Sequence, residues 1–327
     1  MIFKCKNCGG NVLYHPEKKA MCCPYCDSIN KEEPSAGTGD IHVCPDCGGS
    51  LLIEEHTSAS RCPYCENYII FEERTSGSFT PKFLIPFQYS RDRVKQLMKD
   101  KFKKATFAPT GFLSEVKLNS MEGTYVPFWL YDYDVKGLYE GEGQRVRTWT
   151  QGDMEYTETS FFHIQRDMDV KFQKIPVDAS IKMSDHIMDL MEPYEYGQLV
   201  PFKPEYMSGF QGEKYNMYYD AVSSRAQERA KRDSKTLLHQ SINGYINVRA
   251  LSEHIGIRRE EAAYALLPVW VYTYEYNGKE YPFYINGQTG KIVGKTPVST
   301  LKVMAYGGTL WGILTAIMGM LYFLTNL

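Results

Sequence analysis

Charge of one sign is what this 327-residue sequence lacks most: 37 Lys and Arg stand against 39 Asp and Glu, a net of −2. A balance so near zero gives the chain as a whole no field that would gather nucleic acid or hold it on an anionic membrane. Signatures of catalysis are missing as well. The histidines are His15, His42, His56, His163, His186, His239 and His254, and none lies beside a GxSxG nucleophile motif. There is no GxxxxGK[ST] phosphate loop and no HExxH helix, so we expect no enzyme. The EGEG stretch at 140–143 reads as a turn with solvent-facing charge. The N-terminal MIFKCKNC offers no apolar run that would act as a signal peptide. Without export, a disulfide framework is a poor explanation for the cysteines, which are moreover odd in number at nine.

Eight of the nine form an internal repeat. CKNCGGNVLYHPEKKAMCCPYC begins at Cys5 and CPDCGGSLLIEEHTSASRCPYC begins at Cys44, an offset of 39. Cys5, Cys8, Cys23 and Cys26 fall on Cys44, Cys47, Cys62 and Cys65, while Cys22 falls on Arg61. Each CxxC places two thiolates on one edge of a tetrahedron, and the second pair completes it around Zn²⁺. The expected ligands are therefore these eight residues, holding two structural zinc ions, with Cys22 a bystander. All four positions of each site are taken by thiolate, which leaves no open position for catalysis. Gly9, Gly10, Gly48 and Gly49 follow the first knuckles and suit the turns that aim the sulfurs. Segments this short bury little apolar surface, so the metal must supply much of their folding free energy. No histidine occupies a knuckle position; His15, His42 and His56 read as surface residues.

Zinc ribbons often bind nucleic acid, and charge tests that reading. Residues 1–71 carry six basic and nine acidic side chains, a sum of −3. Two Zn²⁺ ions with four thiolates each bring it to −7. Phosphate binding is driven by Lys and Arg displacing counterions, so this module is a poor candidate for nucleic acid. Protein binding or spacing is the better expectation.

At the other end, VMAYGGTLWGILTAIMGMLYFLT, residues 303–325, contains no charged side chain. As a helix at ~1.5 Å per residue it reaches roughly 35 Å, enough to cross a hydrocarbon core of about 30 Å. Lys291, Lys295 and Lys302 precede it, so the positive-inside rule puts residues 1–302 in the cytoplasm of a single-pass cell-membrane protein. Gly308, Gly312 and Ala316 recur at four-residue spacing on one face, a pattern that suits a homodimer of packed helices.

Between these ends the fold class reads as α+β. Residues 27–40 and 72–82 read as linkers, giving ribbons over 1–30 and 41–71, an α+β domain over 79–300 and the span over 303–325. SRDRVKQLMKDKFKKA predicts a helix capped by Ser90, with Val94, Leu97, Met98 and Phe102 inward. Its opposite face is strongly basic, and either plain solvation or contact with anionic lipid would suit it. VRTWT, then Gln151-Gly152-Asp153, then MEYTETSFFHI predicts a hairpin. LLPVWVYTYEY from Leu266 echoes YVPFWLYDYDV from Tyr125 at an offset of 141. The shared P-x-W-x-Y-x-Y puts Trp and both Tyr on one side of a strand, where core packing is expected rather than an aromatic ligand platform. Residues 213–240 predict a long helix packed through Tyr219, Val222, Ala226 and Ala230.

The CPxCG-type ribbons, IPFQYS at 85–90, GTYVPFWLYD at 123–132, PYEYGQLVPF at 193–202, LLPVWVYTYEYNGKEYPFYINGQTGKIVG at 266–294 and the terminal span resemble the bacterial TFIIB-type zinc-ribbon-containing membrane proteins over nearly the whole chain. Members of that family are encoded beside SPFH (flotillin-like) and phage-shock-type proteins, so the resemblance implies a membrane-associated scaffold with an SPFH-type protein as partner. The expected function is thus an adaptor with two zinc ribbons, anchored by the span, that binds a protein partner at the membrane. A membrane-tethered nucleic-acid binder is the alternative, and an enzyme acting at the membrane surface is the next.

Overall fold

The computed structural model describes residues 1–35 and 42–325; residues 36–40 of the expected inter-ribbon linker and residue 41 lie outside the described residues. The architecture is mixed α+β. Strands β1 (Ile2–Cys5), β2 (Leu13–His15), β3 (Ala20–Cys22) and β4 (Glu32–Ser35) build the first cysteine unit, with β1 antiparallel to β4 and β2 to β3. Strand β4 lies beyond residue 30, within the stretch that reads as a linker. In the second unit β5 (Thr57–Arg61) pairs with β6 (Tyr68–Ile70). Next come β7 (Phe83–Leu84), α1 (Arg91–Phe102), α2 (Glu115–Leu118), β8 (Glu122–Gln151) and β9 (Met154–Asp178). The chain continues through α3 (Asp185–Met191), β10 (Val200–Pro201), β11 (Gln211–Glu213), α4 (Tyr219–Gln240), β12 (Ile246–Tyr276), β13 (Lys279–Asn286), β14 (Ile292–Gly294) and α5 (Thr300–Thr325).

A ten-stranded sheet organises the molecule, in the order β10-β7-β12-β8-β11-β5-β6, with β9 on β8 and β13-β14 on β12. The second cysteine unit is thus an extension of this sheet, because β5 pairs with β11. The first lies outside this sheet and is attached by packing and a few main-chain bonds: Phe3, Val12, Tyr14 and Met21 enter the main core, the Tyr14 N–H donates to the Ser208 carbonyl at 2.9 Å, and Ile2 joins Leu51, Ile69 and Phe71 in the second unit. The Met1 ammonium donates to the Ile70 carbonyl at 2.7 Å and the Ile70 N–H returns a bond to Met1 at 2.9 Å. Residues 72–82 carry two short 3₁₀ turns, and Arg74 donates to the Glu54 and Thr57 carbonyls at 2.6 and 2.8 Å. The segment therefore fastens the second unit down.

β8 and β12 run antiparallel for most of their 30 and 31 residues. Trp129, Tyr131, Tyr133, Trp270, Tyr272 and Tyr274 are all buried. Their polar handles end on backbone carbonyls: Trp129 Nε1 on Met217 at 2.9 Å, Tyr131 OH on Tyr219, Trp270 Nε1 on Tyr89 at 3.1 Å and Tyr272 OH on Phe112 at 2.7 Å. This is core packing with those four donors satisfied, and of the six only Trp270 borders a cleft. In the register, Val126 sits opposite Leu267, the two residues that the 141-residue offset aligns. The short strands β11 and β7 add in parallel at Thr124–Tyr125 and Ala265–Leu266, positions that are also 141 apart.

Helix α1 starts after Ser90, whose hydroxyl accepts from the Arg93 N–H at 3.3 Å as an N-cap should. Helix α4 begins at Tyr219 rather than near 213, because residues 211–213 are used by β11. Val222, Ala226 and Ala230 face inward as expected, while Tyr219 is half exposed and packs edge-on against Trp129 at 5.8 Å.

The β8–β9 hairpin turns at Gly152-Asp153, with Gln151 opposite Met154. The EGEG stretch is not a turn; it is the interior of β8, with Gly141 and Gly143 opposite Ile164 and Phe162. A Cβ on Gly143 would lie 2.8 Å from Ile164 Cδ1, so glycine there permits close approach. The outer halves of β8 and β9 pack on α4 through Tyr139, Ile164, Leu238 and Ile242. Residues 145–159 are exposed on both faces. At ~3.3 Å per residue the stretch from Tyr133 to Gln151 spans roughly 60 Å, an arm built on α4.

Candidate metal centres

Four knuckles share one backbone pattern. The N–H of the leading cysteine bonds to the carbonyl five residues on, and the N–H four residues on returns to the cysteine carbonyl. The pairs are Cys5–Gly10 and Gly9–Cys5, Cys23–Ser28 and Asp27–Cys23, Cys44–Gly49 and Gly48–Cys44, and Cys62–Asn67 and Glu66–Cys62, all between 2.7 and 3.0 Å. The fifth residue of each knuckle has positive φ: Gly9 at 74°, Asp27 at 56°, Gly48 at 72° and Glu66 at 63°. Glycine at 9 and 48 removes that strain. Gly10 and Gly49 serve differently. A Cβ on either would stand 2.5 Å from the ring of Tyr25 or Tyr64. The shared Gly-Gly and Pro-Tyr are therefore one device, in which a tyrosine of the second knuckle lies over the backbone of the first.

This geometry gathers the sulfurs of Cys5, Cys8, Cys23 and Cys26 into one group and those of Cys44, Cys47, Cys62 and Cys65 into another, all within 4.8 Å of one another. The sulfurs stand 3.7 Å apart for Cys5–Cys26, 3.5 Å for Cys8–Cys23, 3.7 Å for Cys44–Cys65 and 3.8 Å for Cys47–Cys62. A tetrahedron with metal–sulfur bonds of about 2.3 Å has edges of about 3.8 Å, so both groups fit a tetrahedral ion of that size. Cys22 stands outside, its thiol pointing to the Ala20 carbonyl at 3.7 Å. Among the described residues no histidine belongs to either group.

Proton affinities within the first group diverge. Hydrogen bonds from the Ser28 hydroxyl and N–H hold Cys26 down at about 6. The Gly10 N–H acts to lower Cys8, but the sulfurs of Cys23 and Cys26 outweigh it and push Cys8 up to about 12. Four sulfurs this close cannot all be thiolates without a cation among them. Ser28, which also accepts from Asn7 at 2.7 Å, was not foreseen from the sequence; its place two residues after Cys26 is the only signal.

Other features bear on what the molecule can do. A cleft of about 550 Å³ opens between the two cysteine units and α1, lined by Asn11, Tyr14, Tyr25, Tyr68 and Arg91 among others. Its remaining charges are largely spent in ion pairs, Arg61 with Glu66 at 2.5 Å and Lys95 with Asp92 at 3.0 Å. The NGQTGK stretch is a buried clasp. Asn286 Nδ2 donates to the Met191 carbonyl at 3.0 Å, and its Oδ1 accepts from the N–H groups of Gln288 and Thr289 at 2.9 and 3.0 Å. Gln288 closes on Glu195 with bonds of 2.8 and 3.1 Å, holding the PYEYG segment. Elsewhere, Asp178 is fully buried against Arg225 at 3.2 Å, and burial raises its carboxyl to about 6. Helix α5 is long and apolar enough to cross a membrane, and its apolar run lies outside the core, exposed from Val303 to Leu324. Gly308, Gly312 and Ala316 share one exposed face of it, and a Cβ on either glycine would meet nothing within 4 Å.

No protein-family profile matches the chain, and no solved structure matches it. Among curated proteins, the uncharacterized protein YdjG of Bacillus subtilis (strain 168) is 39% identical over 322 residues, covering 94% of each chain.

Proposed function

The chain belongs to the family of YdjG, and we propose that it is a zinc-ribbon adaptor anchored by α5 that binds a protein partner at the membrane. The observation that carries this reading is the pair of closed four-sulfur cages, one built on the main sheet and one packed against its core, in a chain with an unburied apolar helix. Zinc is the ion proposed, because four thiolates at tetrahedral spacing are its structural ligand set. With every coordination position used, the ions stiffen the cysteine units and do no chemistry. The soluble part lies on the cytoplasmic side, where thiols stay reduced. We also read the halves around Val126 and Leu267 as copies of one strand unit facing each other across a local twofold. The resemblance to TFIIB-type zinc-ribbon membrane proteins makes SPFH-type proteins the first partners to test. The stripe Gly308, Gly312 and Ala316 is proposed as a homodimer contact.

The test is recovery of a partner from solubilised membranes with the full chain, followed by direct binding of the two purified proteins. Binding that weakens moderately with salt supports the adaptor. Tight binding of the purified chain to DNA or RNA, with a steep salt slope, would replace it by the nucleic-acid reading.

A further inference from the structure

The root of α5 is gripped by a loop far away in sequence. The Ser299 N–H donates to the Phe107 carbonyl at 2.8 Å, and Lys302 Nζ donates to the Ala108 carbonyl at 2.7 Å. The Phe107 ring meets Tyr306 edge-on at 5.5 Å between centroids. Tyr306 is three residues past Val303, ~4.5 Å into the apolar run at 1.5 Å per residue. If α5 spans a bilayer, that contact fixes the height of the loop: Phe107, itself 37% exposed, lies at the level of the interface. Lys103 and Lys104 come just before it in the chain and are exposed.

Charge is concentrated at the same place. Residues 99–118 and 291–302 hold eight lysines against Asp100 and Glu115, a net of +6, in a chain whose total is −2. Several of these lysines are committed. Lys99 pairs with Glu115 at 2.8 Å, Lys101 donates to the Ile292 carbonyl at 2.6 Å, and Lys117 stacks on Tyr274 at 4.7 Å. The Lys101 bond joins the two segments, and the Phe107 and Ala108 carbonyls hold the helix root against them, a basic collar on one side of it. Among the described residues, Lys103, Lys104 and Lys295 have no ion-pair partner. The basic face of α1 is thus largely used internally, and the free cations sit beyond its end, beside the anchor.

We propose that this collar, with Phe107 as an interfacial wedge and Lys103, Lys104 and Lys295 as free cations, binds anionic phospholipid headgroups of the leaflet facing the soluble domain. It rests on the reading of α5 as a membrane span and adds a lipid preference to it. Each lysine near an anionic surface gains about fivefold in local binding.

The test uses the full chain in nanodiscs of phosphatidylcholine alone or mixed equally with phosphatidylglycerol, labelled with an amine-reactive reagent and read by peptide mass. Labelling of Lys103 and Lys104 should fall about fivefold in the anionic discs and recover in high salt, with Lys231 on α4 unchanged. Equal labelling in both discs, with the chain incorporated, overturns the collar and leaves the span standing. Failure of the chain to enter either disc overturns the span and the collar with it. Protection in neutral discs on adding inorganic phosphate alone would assign the site to free phosphate and also overturn it.

Discussion

Cys22 and Cys23 are neighbours of the same chemistry, and only one lies in a sulfur cage, so exchanging each for serine tests the proposed ligand set directly. Cys23 is buried among Phe3, Val12, Tyr14 and Met21, with its sulfur 3.5 Å from that of Cys8. Cys22 points away to the Ala20 carbonyl. A structural zinc with four ligands contributes roughly 10–16 kcal/mol in small zinc peptides. One thiolate in four is then about 3–4 kcal/mol, a loss of roughly 10²–10³ in affinity. The unmodified chain should retain two zinc ions through dialysis against a moderate chelator, by elemental analysis. Cys22→Ser should also retain two, and Cys23→Ser should retain one. The first cysteine unit of Cys23→Ser should exchange backbone hydrogens faster, because the cage and that part of the core share Cys5 and Cys23. Full zinc after Cys23→Ser together with loss after Cys22→Ser would refute the assignment and the knuckle geometry beneath it.

Asn286→Ala should lower stability by at least ~3 kcal/mol in denaturant unfolding, since it strands the Met191 carbonyl and the Gln288 and Thr289 N–H groups in a buried site; a loss under about 1 kcal/mol would mean the clasp is dispensable. Asp178→Asn should flatten the pH dependence of stability between pH 4 and 6. The folded carboxyl is raised to about 6 from an ordinary value of 3.8, so stability present at low pH is lost as pH rises through 6, and the difference between native and variant curves isolates it from zinc release. Removing residues 303–327 should free the chain from membranes once salt is raised; partitioning that survives high salt would show that α5 is not the main anchor.

The cysteine cages were legible because metal ligation imposes a spacing that a sequence cannot hide, and the offset of 39 removed Cys22 from the register. The apolar helix was legible for a similar reason, its composition being uniform. What failed were inferences from local composition about regions decided at a distance. β5 pairs with β11, which is some 150 residues later, so nothing near Thr57–Arg61 marks it as part of the main sheet. EGEG has the residues of a turn, yet Gly141 and Gly143 are small because Tyr139, Ile164 and Tyr245 crowd them. Tyr219 fits the helical spacing of α4 but lies in its first turn, where its carbonyl serves Tyr131 and its half-exposed ring meets Trp129 only edge-on, at 5.8 Å. The Gly-Gly and Pro-Tyr pairs were visible as a repeat, while their coupling through Tyr25 and Tyr64 needed coordinates.

The route by which the second cysteine unit joins the rest bears on the adaptor reading. A ribbon on a flexible linker would search a wide volume, and anchoring would raise its concentration near the bilayer without setting its height. Here hydrogen-bonded pairing runs without a break from β6 through β5, β11 and β8 to β12. β12 leads into β13 and β14, and the Lys101 bond to Ile292 ties β14 to α1 close to the root of α5. The same β8 carries the arm in the other direction. On the proposed reading, the zinc ions stabilise the end of a continuous frame whose other end is the anchor. A partner docked on the cysteine units would then be held at a fixed distance and orientation from the membrane, which a tether alone could not provide.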